Sequence, residues 1–408
     1  MIMNKSNILI WGAGAQGEEA GRLLHEHRKY EVVAFGDNNR SLWGKHKLQK
    51  PIMGLSEVRH LNNLDGILIA STYAEDIAAQ LEGVLRVPMY RSIDELMLQR
   101  ISIDISGFCN AKCKWCFTGR RNSNHQTVCM HYMTYDEFVG LYQHLYQSKI
   151  IEKSTEIMLY SWGEPLLNKD YVSIVEYLAE QSQRFSVSTN ASRVQILNRD
   201  DAYRNCCSFI FSMPGFSQES YDRIHGFSFK QIKKNIEAIC ENLREKGFMG
   251  VGSLSFHVYR FNTHEIEAAR EFAESLELRF NPYYPYFNGN SMTAAYLEGK
   301  LEREVLKDAE EELYLTHVSE LLSRRPADYR CFLENIISID DRGNLVLCCA
   351  SDADCTDYKW DSIFGISSLA EMKRKRREML KSDSCNKCRR LGIDFWMGNN
   401  PAYILREN

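Results

Sequence analysis

Cys109, Cys113 and Cys116 form a C-x3-C-x2-C run that places three thiols within eight residues. Thiols at that density are metal ligands. Three thiolates hold three irons of a [4Fe–4S] cube and leave the fourth open to a small molecule. By spacing alone a zinc site lacking one ligand also fits, although structural zinc takes four closed ligands. A second set lies in the last quarter of the chain. Cys331 is followed by eleven residues, Gly343, four more residues and Cys348, and then by the pair Cys385 and Cys388. Four thiolates in two separated pairs close either a zinc site or a second iron–sulfur cluster.

Elements must position these thiols. The alternating segment 101–105 leads into the first run and reads as a strand. Thr134 and Glu137 form a capping box, which opens a helix carrying Phe138, Leu141, Tyr142 and Leu145 on one face. An apolar strand follows and ends in Trp162, Gly163, Glu164 and Pro165. A helix over 169–182 comes next, then a strand ending in Ser188 and Asn190. Strand–loop–helix units in series predict a parallel sheet with ligand groups on loops at the strands' C-terminal ends.

On these residues the stretch 100–392 resembles the radical S-adenosylmethionine (SAM) enzymes. Trp115 supplies the aromatic of the family's cysteine motif, and Gly163 with Glu164 supplies its glycine–glutamate motif, with Trp162 where many members have a first glycine. The resemblance implies a partial (β/α)6 barrel, a [4Fe–4S] cluster on Cys109, Cys113 and Cys116, and SAM bound at the open iron. Reductive cleavage of SAM would give a 5′-deoxyadenosyl radical that abstracts hydrogen from substrate. Carried over position by position, Glu164, Ser188, Asn190, Ser212, Arg223 and Asn262 are the expected SAM contacts. The C-terminal cysteine spacing is similar to the SPASM, or twitch, extension. That implies a second, auxiliary [4Fe–4S] cluster on Cys331, Cys348, Cys385 and Cys388. An external low-potential donor such as flavodoxin or ferredoxin is implied as partner.

A separate unit precedes the barrel. An apolar strand ending at Trp11 runs into Gly12, Gly14 and Gly17, then a helix pattern, then a second strand ending at Asp37. Glycine turn, helix and an acid some twenty residues on make the dinucleotide-binding fingerprint, with Asp37 placed for a ribose. The segment is similar to Rossmann-like domains of sugar-modifying proteins, which implies a nucleotide or nucleotide-sugar ligand; a docking domain is the alternative. Residues 91–96 read as its link to the barrel. The expected α/β organisation is therefore 1–98 Rossmann-like, 99–325 radical SAM barrel and 326–408 auxiliary-cluster extension.

The rest of the composition narrows the function. A net charge of −4 over 408 residues gives no basic field for nucleic acid. Thirteen cysteines, seven of them in cluster spacing, argue for a reducing cytoplasm over a disulfide scaffold. No apolar run reaches the ~18 residues of a membrane span. Among the spare thiols, Cys240 falls on an apolar helix face, and Cys206 and Cys207 begin a strand. Cys129, Cys349 and Cys355 are better placed to return a hydrogen atom to substrate. The run 373–377 is basic and reads as a solvated helix face, with an anionic-substrate contact as the alternative. Residues 282–287, rich in tyrosine and proline, either line the substrate pocket or pack under the C-terminal unit. The expected reaction is oxidation or epimerisation at a carbon of a carbohydrate-type small molecule, with or without a linked nucleotide. Twitch-bearing relatives include an alcohol dehydrogenase in which the second cluster accepts the substrate's electron. The alternatives are a maturase of ribosomally made peptides and a zinc-stabilised binding protein.

Overall fold

The computed structural model describes residues 5–26, 30–124, 131–315, 322–326, 329, 331, 333–352 and 359–397. Cys129 and Cys355 lie outside the described residues. The chain divides into two compact units, residues 1–99 and 100–408.

The first unit is built on strands β1 (Ser6–Trp11), β2 (Tyr30–Gly36), β3 (His46–Lys47), β4 (Lys50–Met53), β5 (Gly66–Ile69) and β6 (Met89–Tyr90). Their order is β3-β4-β2-β1-β5-β6, and every pairing except β3 with β4 is parallel. Ile8, Leu9, Ile10 and Trp11 of β1 are all buried, as expected of a central parallel strand covered on both faces. Gly12 turns the chain at φ +110° into helix Ala15–Glu26, a conformation that favours glycine. A Cβ on Gly17 would collide with the Gly12 carbonyl, so helix and turn pack at glycine distance. Residues 91–96 are not a free link. Leu96 and Met97 are buried in this unit's own core, and the Tyr30 hydroxyl donates to the Leu96 carbonyl at 3.1 Å.

The second unit is one nine-stranded sheet. It contains β7 (Arg100–Ile103), β8 (Glu156–Met158), β9 (Phe185–Thr189), β10 (Cys206–Met213), β11 (Val251–His257), β12 (Arg279–Tyr283), β13 (Ile337–Ile339), β14 (Asn344–Val346) and β15 (Lys359–Ser362). Strands β7 to β12 are parallel neighbours in sequence order, with helices in the crossovers. The expected helices are there. Tyr135–Gln147 starts on the reciprocal Thr134–Glu137 capping box and buries Phe138, Leu141, Tyr142 and Leu145. Tyr171–Glu180 and Phe229–Glu245 follow, the latter burying Cys240. The sheet does not stop near residue 326. Strand β13 pairs in parallel with β7, Ile337 opposite Ile101 and Ile339 opposite Ile103, and β14 and β15 continue it antiparallel.

Asp104, one residue past β7, ties three strand ends together. Its carboxylate accepts from the backbone N–H of Trp162 (2.9 Å), Gly163 (3.2 Å) and Ser106 (3.4 Å), and its own N–H donates to the Ile339 carbonyl (2.9 Å). A Cβ on Gly163 would collide with the Ser106 carbonyl, so only glycine lets the β8 loop lie against the β7 loop. Burial, and secondarily the charge of Asp341, pushes the Asp104 carboxyl up to about 7. The same group titrates near 3.9 in an unfolded chain, and each unit of difference is worth ~1.4 kcal/mol. The folded chain therefore keeps this proton to higher pH than the unfolded chain. The sign follows: stability falls as pH rises from about 4 to about 7 and is level above that. Asp104→Asn keeps an acceptor and removes the titration. The thermal-midpoint advantage of the parent over this variant is expected to shrink between pH 5 and pH 8. A pH-independent difference would contradict the assignment.

Candidate active site

The first cysteine run lies between β7 and helix Phe117–Ser123, and several of its backbone groups are hydrogen-bonded. Asn122 Nδ2 donates to the carbonyls of Cys109 (2.6 Å) and Ala111 (2.7 Å). The Lys112 N–H donates to the His225 carbonyl (3.2 Å), and residues 115–117 bridge to Asn288 in strand fashion. Burial raises all three thiols, Cys113 further through Cys116 and Cys109 and Cys109 further through Glu164 and Cys116. The three thiols thus feel one another although six residues separate the outer pair. Metal loading would drive off the protons that burial retains.

Cys109, Cys113 and Cys116 open onto a cavity of about 280 Å³ at the C-terminal ends of the parallel strands. Gly163, Glu164, Ser188, Asn190 and Ser212 line it, as their strand-end positions predict. Glu164 is almost wholly buried. Its carboxylate accepts from Thr189 Oγ1 (2.6 Å), Asn190 N (2.7 Å) and Leu166 N (3.1 Å), which ties the β8 loop to β9. Burial pushes its carboxyl up to about 7, and among the described residues no cation pairs with it to hold it lower. Asn190 Nδ2 points at Cys109 Sγ at 3.6 Å, and Asn288 Nδ2 at Cys116 Sγ at 4.0 Å. Donors at ligand sulfurs are a standard means of setting cluster potential.

Two expected contacts are elsewhere. Arg223 does not line the cavity: its guanidinium lies over the Phe261 ring at 4.0 Å and pairs with Glu312 at 3.4 Å. Asn262 is buried and ties its own turn to the loop after β10, donating to the Pro214 and His257 carbonyls and accepting from the Tyr259 N–H. Trp115 belongs to the core more than to the cavity. Its indole N–H donates to Glu312 at 3.0 Å, and its ring meets Phe287 edge-on at 5.8 Å. Glu312 also takes Lys114 at 3.0 Å. One carboxylate so claims two residues of the cysteine run and Arg223, and no local motif marked it.

Sequence reasoning also missed His225 and His257. Both line the cavity, with ring centroids 6.4 Å apart, and Ser212 Oγ lies 3.1 Å from His257 Nε2. Burial depresses His257 to about 4, and burial together with His257 depresses His225 to about 3, so both are neutral bases. Neither has a spacing signal; β11 and the segment after helix Gln218–Ile224 bring them together only in the fold. Tyr283, Pro285 and Tyr286 line the cavity, whereas Phe287 packs inward on Trp396 at 6.3 Å. Residues 282–287 thus do both things open to them.

The second cysteine set converges as well. Strands β13 and β14 form a hairpin turned at Gly343 (φ +76°), which returns Cys348 towards Cys331. Helix Asp383–Leu391 carries Cys385 and Cys388, three residues apart on one side, and ends at Gly392 (φ +71°). The four thiols line one small cavity with Leu333, Arg376 and Asp394. Cys349 points at Cys348 and is not among the residues of the larger cavity.

In the first unit Asp37 stands beside the glycine turn. Its carboxylate accepts from Ala13 N and Asn39 N, both at 2.7 Å, and so braces the glycine turn. Space at Gly14 is open. A cavity of about 350 Å³ lies beside the turn, lined by Gln16, Glu19, Ser71, Arg91 and Gln99 among others, and not by Gly12, Gly14, Gly17 or Asp37.

Two family models match stretches of the chain. Residues 103–273 match the model of the radical SAM superfamily, and residues 4–93 match a model described as C2185-like, N-terminal. The chain carries a radical SAM domain, a class that works with a [4Fe–4S] cluster and S-adenosylmethionine. It is 26% identical over 96 residues to an S-adenosylmethionine-dependent nucleotide dehydratase of Selenomonas ruminantium, a match spanning 24% of this chain and 31% of the relative. Among solved structures it resembles SuiB of Streptococcus suis bound to S-adenosylmethionine, at 13% identity and TM-score 0.44, covering 78% of this chain and 83% of that one. It also resembles anSMEcpe with bound AdoMet, at 12% identity and TM-score 0.43, covering 71% and 82%.

The residues present fit these groups. Among the described residues, no three His, Cys, Asp or Glu side chains stand closely enough to grip a single metal ion. Cys109, Cys113 and Cys116 instead ring one cavity, the arrangement asked for by a cube with one thiolate per iron. Glu164 is a buried carboxylate at the same cavity, suited to an ammonium group. After anaerobic reconstitution the chain is expected to hold about eight irons. Replacing Cys109, Cys113 and Cys116 by Ala is expected to halve that number and abolish SAM cleavage. Single changes of Cys331, Cys348, Cys385 or Cys388 to Ala should remove the other half, whereas Cys349→Ala should not. Stoichiometric zinc with negligible iron would refute both assignments.

Proposed function

We propose that the chain oxidises a hydroxyl-bearing carbon of an uncharged, carbohydrate-type small molecule. The observation that carries this reading is the cavity lining. Besides the residues expected to hold SAM, it includes Tyr160, Tyr259, Tyr283, Tyr286 and Asn288, with Glu164 as the one carboxylate and no Lys or Arg among the described lining residues. Hydroxyls and aromatic faces suit a polyol ring, and a phosphate buried there would lack a cation. A nucleotide tail, if the substrate has one, belongs outside this cavity.

When bound, SAM and the two clusters supply the hydrogen-abstracting radical and the electron sink. The chain's own residues do the rest. Oxidising an alcohol carbon to a carbonyl releases one hydrogen atom, one proton and one electron. Neutral His257, beside Ser212 at the cavity wall, is the base available for the hydroxyl proton at Nε2. Trp162, Tyr259 and Tyr286 give the site aromatic walls, and a carbon radical requires that water be kept out. Oxidation is favoured over epimerisation because, among the described residues, the thiols lining the cavity are those of the cysteine run itself; Cys129 and Cys355 lie outside those residues. An epimerase needs a further thiol facing the substrate carbon.

The decisive measurement is product mass after turnover in heavy water with a panel of sugars and nucleotide sugars. Loss of two mass units is expected. Gain of one, with deuterium on carbon, would mean epimerisation, and a new carbon–carbon or carbon–sulfur link would mean peptide maturation. His257→Gln should depress turnover while leaving SAM cleavage without substrate intact. For the first unit, titration calorimetry of the full chain with UDP-, GDP-, dTDP- and NAD-type ligands is expected to show binding that a branched residue at Gly14 weakens tenfold or more. Absence of binding to all four would favour the docking role.

A further inference from the structure

The basic run 373–377 does not present one solvated face. Helix Leu369–Met379 turns Arg374 and Lys375 outward, onto Glu371, Glu378 and Asp361. Arg376 turns inward and is only 5% exposed. Its guanidinium donates to the carbonyls of Leu333 (2.9 Å), Glu334 (3.1 Å) and Leu347. Two of these carbonyls lie just after Cys331 and the third just before Cys348. Arg376 also lines the small cavity of the four thiols. The three carbonyls take three of its N–H donors without neutralising its charge; Asp394 lines the same cavity but pairs with Arg325 at 3.6 Å, and among the described residues no ion pair includes Arg376. A buried, unpaired guanidinium is costly unless an anion belongs beside it. Its positive field reaches Cys331, Cys348 and Cys385.

We infer that Arg376 is a positioning residue for the iron–sulfur cluster held by Cys331, Cys348, Cys385 and Cys388, clamping two ligand loops and raising the cluster's reduction potential. The inference rests on the reading that those four thiols are the ligands. A cube with four thiolates is anionic and gains a further negative charge on reduction. A fixed cation beside it favours the reduced form, because net charge and surroundings set cluster potentials. A higher potential suits a cluster that takes an electron from substrate.

The test uses the full chain with Cys109, Cys113 and Cys116 replaced by Ala, so that only the second cluster remains, and follows its midpoint by electron paramagnetic resonance during redox titration. Arg376→Gln is expected to shift the midpoint to more negative values. Arg376→Lys, which keeps the charge but cannot span three carbonyls, should hold the midpoint near the parent's while lowering iron loading. Iron retained with an unchanged midpoint in Arg376→Gln would overturn the role of Arg376 alone. Absence of iron in the background chain would overturn the ligand assignment, and this role with it. If Arg376→Gln loses its iron, Arg376→Lys decides: a midpoint at the parent value supports the charge effect, and a lowered one refutes it.

Discussion

The parallel pairing of β13 with β7 is the constraint on which the second unit depends. Strand β7 delivers the chain to Cys109, and β13, through its hairpin partner β14, delivers it to Cys348. Adjacent strands run about 4.8 Å apart, so one three-residue register sets two cysteine sites some 230 residues apart in sequence into a single sheet. If the second set serves as an electron acceptor, that rigidity matters, because electron transfer demands a fixed separation.

Buried carboxylates then do the fine placement. Asp104 joins the ends of β7, β8 and β13, and Glu164 joins the β8 loop to β9. Each is held by N–H and O–H donors without a cation, which is why burial raises both. Such groups oppose stability and are tolerated where they organise a site. At Glu164 the missing counter-charge faces the cavity, so the energetic deficit and the capacity to bind a cation are one feature.

Glu312 shows how a distant helix can redirect a plausible ligand residue. Arg223 has the right chemistry for a carboxylate and nearly the right position in sequence. Yet Glu312 already gathers Lys114 and Trp115, and Arg223 joins them. His225, two residues on, faces the cavity instead. The basic run 373–377 repeats the lesson in reverse: a stretch that reads as surface holds one residue that is core.

The cysteine spacings, the capping box at Thr134, the strand-end placement of Glu164, Ser188, Asn190 and Ser212, and the two parallel sheets were legible in the sequence. All are properties of neighbours along the chain: periodicity, cap chemistry and ligand density act over a few residues. The roles of Arg223, Asn262, Asp37, His225, His257, Glu312 and Arg376 were not legible. Each depends on which partner arrives from an element tens to hundreds of residues away, and a charged or polar side chain goes where burial leaves an unmet hydrogen bond or charge. Local pattern determined what could bind metal and where the strands would end; only tertiary packing decided which polar groups remain free to face the cavity.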